Sequence, residues 1–287
     1  MLQFLNLIPL QHASFADDEN SLNMFRLAAP ILLATLLASC AGTPMAPGAA
    51  VAELAPAGKL RAAINFGNPM LAASDPASGE ARGISVDLSR ELARRLGVPL
   101  ELVTYNAAGK VVEAAKSGAW DVAFVAIDPK RVNEISYSPG YVVLECSYLV
   151  RQDSPIRVNA QVDSAGIRIG VGAGSAYDLF LSRELKQAKL VRAPTSQAVT
   201  DMVVAMGLEV AAGVTRQMES DAKRVSGMRL LDRPFMVMNQ AMGTPKGREA
   251  GAAYLREFIE EMKASGFVAQ ALARHRIDGA AVAPPAK

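Results

Sequence analysis

The sequence predicts an α/β protein built as two successive units, each a mostly parallel sheet flanked by helices. Strand-like and helix-like stretches alternate from Leu60 onward, as βαβ connections require. Asp121-Val-Ala-Phe-Val-Ala-Ile127 is apolar without alternation, the pattern of a strand covered on both faces. The same layout then restarts at Ile167-Arg-Ile-Gly-Val171.

Ahead of these elements the chain reads as an export signal. Arg26 precedes an apolar run that ends in Leu37-Ala38-Ser39-Cys40 and small residues. The run is well short of the roughly 20 residues that span a bilayer. Leu-Ala-Ser-Cys resembles the bacterial lipobox, which implies removal of residues 1–39 and a lipid anchor on Cys40. The alternative is a soluble periplasmic protein cut beside the same cysteine. Either way the folded part works outside the cytoplasm. Asp17, Asp18 and Glu19 make residues 1–23 acidic, unlike a signal n-region, whereas a start at Met24 gives an ordinary signal. Residues 40–57, rich in Ala, Gly and Pro, are expected to be a flexible linker.

The first unit opens with a strand at Leu60–Asn65. Leu88, Leu92, Ala93 and Leu96 form one apolar helical stripe that Gly97 stops. Val98 to Tyr105 is rich in β-formers, Gly109 to Lys116 reads as a short helix, and the buried strand at Asp121 follows. In the second unit, a helix from Ala176 to Leu185 follows the strand at Ile167. Strands at Ala188–Val191 and Leu208–Val214 then flank a helix around Val199 to Met206. The last long helix, Arg248 to Ser265, gathers Leu255, Phe258, Ile259 and Met262 on one face. The tail from Gly279, rich in Ala and Pro, is expected to be disordered.

Composition excludes several functions. The net charge is only +2 and no Lys/Arg cluster stands out, so no nucleic-acid partner is expected. There are two cysteines and two histidines in the whole chain. With Cys40 lipidated, Cys146 has no partner and reads as a small core residue. No H-E-x-x-H, G-x-S-x-G or C-x-x-C occurs, which argues against a metal, a cofactor and Ser-His hydrolysis. A monomer is expected.

The chemistry-bearing candidates stand where strands end. Asp128-Pro129-Lys130-Arg131 follows the buried strand and reads as a helix start, Asp128 capping and Pro129 at the first helical position. Ligands of open α/β sheets bind at the carboxyl ends of strands. Arg131 would there grip a carboxylate with two parallel hydrogen bonds; the alternative is a solvated or structurally paired arginine. Gly170-Val-Gly172-Ala-Gly174-Ser175 offers a Gly-rich turn whose amides can approach an anion, with Gly174 and Ser175 as contacts. It reads equally well as a tight turn before a helix capped by Ser175 and Asp178. Asn65, Phe66 and Asn68 end the first strand, the amides as hydrogen-bonding groups and Phe66 as an apolar wall or a core residue. Trp120 reads as packing.

Taken in order, these segments resemble family 3 of the bacterial extracellular solute-binding proteins, the polar-amino-acid receptors of ABC importers. Gly83-Ile-Ser-Val-Asp87 through Gly97 is similar to the family's first helix. Gly118-Ala-Trp-Asp121, then Asp128-Pro-Lys-Arg131 and Ile135-Ser-Tyr-Ser-Pro139-Gly-Tyr141, resembles its Asp, Thr-x-x-Arg and Phe-Ser-x-Pro-Tyr series. The resemblance runs from about Lys59 to Ile277. It implies the two-lobed periplasmic-binding-protein fold of type II, with two hinge crossings near Ser147–Arg151 and Val237–Met242. Lobe 1 would hold residues 58–148 plus 239–287 and lobe 2 residues 149–238. It also places Arg131 where the family binds the ligand's α-carboxylate.

Two departures bear on the ligand. The family's Ser-rich stretch is apolar here, Val122 to Ile127, which makes Ala126 the contact at that point. The Asp that pairs with an α-ammonium in lobe 2 aligns with Val214, next to Thr215. Burying an ammonium there without a counter-charge would cost several kcal/mol. The expected ligand therefore carries a carboxylate but is not a standard α-amino acid, and Arg216 nearby could favour a second acid group. The expected function is solute capture and delivery to an ABC importer permease or a sensor. The alternatives are a cyclohexadienyl-dehydratase-like enzyme on the same scaffold, with Glu80, Glu209 and Asp128 as its available acids, and a ligandless accessory lipoprotein that binds other proteins.

Overall fold

A computed structural model describes residues 46–286; the signal segment and Cys40 lie outside the described residues. Helix α1 (Gly48–Leu54) occupies much of the stretch whose composition suggests a flexible linker. It forms because Ala50 and Leu54 have a surface to cover, and Leu54 is fully buried against Gly251 of a later helix.

Strand β1 (Leu60–Asn65) pairs in parallel with β4 (Leu100–Tyr105) and β5 (Val122–Ala126). All of β5 is buried, as its unbroken apolar run predicts. A small hairpin, β2 (Ala73–Ser74) with β3 (Ala81–Arg82), leads into α2 (Ile84–Leu96). Leu88, Leu92, Ala93 and Leu96 of α2 face the core, and Gly97 ends it in the left-handed conformation. Helix α3 (Ala108–Ala115) crosses between β4 and β5, and Trp120 beyond it is buried with its indole N–H donating to the Val111 carbonyl.

The second unit repeats the layout. Strand β7 (Arg168–Gly172) pairs in parallel with β8 (Lys189–Ala193) and β9 (Val210–Val214). Helices α4 (Ala176–Glu184), α5 (Val199–Ala205) and α6 (Thr215–Arg224) complete it, α6 being an element that sequence patterning does not single out.

Two long strands join the units. Strand β6 (Ile135–Arg151) and strand β11 (Met236–Pro245) run antiparallel to each other through the middle of one ten-stranded sheet, ordered β4-β1-β5-β11-β6-β9-β7-β8. One edge of β6 carries β11 and then β10 (Met228–Leu230); the other carries β12 (Ala280–Val282) and then β9. Cys146, buried and free, is the residue of β6 opposite both Met236 and Val214, so one unit gives way to the other there. Helices α7 (Glu249–Ala264) and α8 (Phe267–Arg274) return to the first unit, and α7 buries Leu255, Phe258, Ile259 and Met262. This is the two-lobed α/β architecture that the sequence predicts.

Besides the linker, two local expectations need correction. The tail is a strand: Ala280–Val282 extends the edge of β6, where its backbone groups find partners that composition does not reveal. Asp128-Pro-Lys-Arg131 starts no helix. Residues 129–134 form consecutive turns, with the Arg131 amide donating to the Asp128 carbonyl and the Ile135 amide to the Arg131 carbonyl. Strand β6 begins at Ile135 and leaves no room for a helix, so no helix dipole acts on Arg131.

Candidate functional site

A cleft of about 690 Å³, counting its open mouth, lies between the two lobes at the carboxyl ends of β1, β5, β7 and β9. That position follows from the topology: the parallel strands of the two lobes run in opposite directions, so their carboxyl ends and the loops that follow face one crevice.

On the first lobe, Asn65 closes β1. Its Oδ1 accepts the Gly67 amide at 2.9 Å and so folds the chain back toward the cleft. Gly67 is obligatory, since a Cβ there would meet the Asn106 carbonyl oxygen at 2.3 Å. Asn68 holds the next turn, accepting the Met70 amide at 3.3 Å. At the end of β5, the Ala126 carbonyl accepts Nη1 of Arg131 at 2.9 Å and the Tyr137 hydroxyl at 3.3 Å. Asp128 shapes the turn that presents Arg131, its Oδ1 accepting the Lys130 amide at 2.8 Å. Its carboxylate is paired across the cleft with Arg183 of α4 at 3.0 Å.

Arg131 is therefore left without an acid. It is only 2% exposed, and among the described residues its hydrogen bonds go to the carbonyls of Ala126 and, through Nη2 at 2.8 Å, Gly174. Desolvation by burial pushes its pKa below the ordinary guanidinium value, with Tyr137 and Asp128 opposing. A buried cation whose hydrogen bonds go to neutral carbonyls, with no carboxylate in contact, favours an anion beside it.

On the second lobe, the Gly-rich turn is a capped helix start more than an anion cradle. Ser175 caps α4, its Oγ accepting the Asp178 amide at 3.1 Å. The Gly174 amide is taken by Asp178 Oδ2 at 2.8 Å, and the Ser175 amide by the Gly172 carbonyl at 3.1 Å. What Gly174 offers the cleft is its carbonyl, which receives Arg131. Val214 ends β9 and lines the cleft. Thr215, one residue on, turns to Ser147 of β6 at 2.8 Å and is not a lining residue. Arg216 pairs with Glu219 and Asp278 and supplies no second cation to the cleft.

Of the sequence candidates, Asn65, Asn68, Ala126, Arg131, Ser175 and Val214 line one cleft. Phe66 does not: it packs on the core, and its carbonyl accepts Nε2 of Gln197 at 2.7 Å. The cleft also holds residues that sequence reasoning missed. Gln240 and Met238 come from β11, Gln217 and Met218 from α6, and Tyr177 from α4. Tyr177 donates to Ser196 Oγ at 2.8 Å, and burial pushes its phenol up to about 12. Met238 and Gln240, two apart in a strand, share a face, but that spacing does not mark them as a site.

The composition of the lining decides its chemistry. Arg131 is its one charged residue, and no carboxylate, imidazole, amine or thiol lies among the described residues that form it. Glu80 is exposed on the small hairpin loop, Glu209 is held by Arg168 at 2.8 Å, and Asp128 is taken by Arg183. Cys146 is buried in β6, where burial pushes its thiol pKa up.

No curated protein sequence matches the chain. Several solved structures are similar in fold. A solute receptor for L-cysteine of Neisseria gonorrhoeae has a TM-score of 0.69 at 20% identity, over 80% of this chain and 94% of that one. A mutant of ArgBP from T. maritima has a TM-score of 0.68 at 19% identity, over 79% and 99%. An ancestral amino acid-binding protein, described as a precursor of cyclohexadienyl dehydratase, has a TM-score of 0.66 at 19% identity, over 78% and 98%. The family model for bacterial extracellular solute-binding proteins, family 3, matches residues 60–276. With that match over most of its length, the chain belongs to the bacterial extracellular solute-binding proteins, family 3.

Proposed function

We propose that this chain is an extracytoplasmic receptor that closes on a small carboxylate-bearing solute and delivers it to an ABC importer. One observation carries the reading: Arg131 is a buried guanidinium without an acidic partner, in a cleft that no acidic side chain lines among the described residues. Such a lining favours a carboxylate and disfavours the ammonium of an α-amino acid, the group that Val214 would have to face. Lobe 1 is taken as residues 58–148 plus 239–287 and lobe 2 as residues 149–238, with closure bringing Arg131 onto Gly174. A lipid on Cys40 would hold the receptor at the membrane. A lining of neutral side chains around one arginine supports binding over dehydratase chemistry, which needs a group able to protonate a leaving hydroxyl.

The test is a thermal-shift screen of the mature chain against amino acids, mono- and dicarboxylates and aromatic acids, with Arg131→Ala alongside. A ligand at one hundred times its dissociation constant should stabilise by about 2.7 kcal/mol. A carboxylate hit that the mutant loses supports the receptor. Silence across the panel would favour a ligandless interaction module, and turnover of a hit would favour the enzyme.

A further inference from the structure

Gln240 is 5% exposed, lines the cleft and comes from β11, one of the two strands that join the lobes. The one hydrogen bond of its side chain among the described residues is a 3.5 Å contact from Nε2 to the thioether sulfur of Met238. A thioether is a weak acceptor, so this amide keeps most of its hydrogen-bonding capacity free at the cleft. Its backbone position is equally informative. Gln240 stands opposite Ala126 in the β5–β11 pairing, and the Ala126 carbonyl is what Nη1 of Arg131 grips. The amide and the guanidinium thus belong to the same level of the cleft.

We propose that Gln240 determines specificity, and that the ligand is a small monocarboxylate bearing a neutral oxygen beside its acid group, a hydroxy or oxo acid. The inference rests on the carboxylate-receptor reading and narrows it. A dianion would need a second cation, and Arg216 is committed to Glu219 and Asp278. A zwitterion would need an acid, and none lines the cleft among the described residues. An unsubstituted acid would leave the Gln240 amide facing a methylene, with the cost of an unpaired buried polar group. An amide both donates and accepts, so it can serve an oxo group or a hydroxyl without adding charge. The remainder of the ligand would meet Phe124, Val214, Met218 and Met238, an apolar wall whose two thioethers adapt to irregular shapes.

The experiment is titration calorimetry of the mature chain with two matched series: propionate, lactate, pyruvate and alanine, then phenylacetate, mandelate, benzoylformate and phenylglycine. The expected result is that in one series the hydroxy or oxo acid binds about 10-fold tighter than the unsubstituted acid, and tighter than the amino acid. Gln240→Leu should erase that preference, so that the substituted and unsubstituted acids of the series bind within about threefold of each other. Gln240→Met provides a second apolar replacement should the first variant fold poorly, with melting temperature as the check. Equal binding within both series, a preference that survives both variants, or tightest binding by the amino acid would overturn this inference alone. No binding by any acid would overturn it together with the carboxylate-receptor reading.

Discussion

Gly109 and Gly174 meet across the cleft so closely that a Cβ built on Gly174 would lie 2.8 Å from the Gly109 Cα. Gly109 belongs to α3 of the first lobe and Gly174 to the turn after β7 of the second, so the absence of two side chains is what lets the lobes touch here. Two substitutions separate the causes. Gly174 has φ +67, so Gly174→Ala strains the backbone whether the lobes are together or apart and should lower the melting temperature. The clash acts only when the lobes meet and should weaken ligand binding by about 1–3 kcal/mol. Gly109→Ala, with its nearest contact at 3.3 Å and no positive φ, should weaken binding less and leave the melting temperature unchanged or raised. Calorimetry and thermal melts on both variants would check this. Equal affinity losses would mean that the glycine contact does not govern closure.

The Asp128–Arg183 pair is a second tie between the lobes, with the Asp128 side chain 4% exposed and that of Arg183 31% exposed. Arg183→Ala removes only the cross-cleft charge pair, which is partly solvated, and should weaken ligand binding by about 1 kcal/mol at most. Asp128→Ala also removes the acceptor for the Lys130 amide and loosens the turn that aims Arg131. Its loss of affinity should exceed that of Arg183→Ala, and the double variant should resemble Asp128→Ala. Equal losses from the two single variants would place the function of Asp128 in the pair and not in the turn.

Asp121 gives the fold a defined acid sensitivity. Burial alone would raise its carboxyl, but hydrogen bonds from Arg61 and Arg248 outweigh that and hold it below the usual range. A depressed folded-state value adds stability above the unfolded-state pKa of about 3.9, and that stability is lost as pH falls through the folded value. Asp121→Asn should therefore cost about 3 kcal/mol at pH near 7, because it strips two arginines of a buried partner. The gap between wild type and variant should shrink below pH of about 4, in denaturant titrations run across that range. A gap independent of pH would assign the loss to packing.

How much of this was legible in the sequence differs by element. β5 and α2 were readable because their patterns are local: an unbroken apolar run needs two covered faces, and a stripe closed by Gly97 needs one. Helix α1 and strand β12 were not, because what orders them is distant. Leu54 is buried by α7, and Ala280–Val282 are paired by β6, while their own composition reads as linker and tail. Arg131 was found through its place after a buried strand, although the helix expected around it is a run of turns. Gln240 was missed for a simpler reason. A lone Gln in an apolar strand carries no motif, and only the pairing of β11 with β5 brings it level with Ala126.

Val214 is where recognition of an α-ammonium can be tested by gain of function. It is 9% exposed at the end of β9 and lines the same cleft as Arg131. Valine there offers an ammonium no partner, so an α-amino acid would enter with its positive charge desolvated and uncompensated. Val214→Asp supplies an anionic partner, and a hydrogen bond to a charged group is worth about 1.5–3 kcal/mol. Affinity for an amino acid such as alanine should rise by that amount relative to lactate. Affinity for simple acids should fall, since a second anion now shares the cleft with their carboxylate. Arg131→Ala placed on the Val214→Asp background should abolish both if Arg131 grips the carboxylate that the two ligand classes share. Titration of alanine, lactate and propionate against the two variants measures all of this in one series. A Val214→Asp variant that still refuses every amino acid while retaining simple acids would place the missing ammonium partner elsewhere in the cleft.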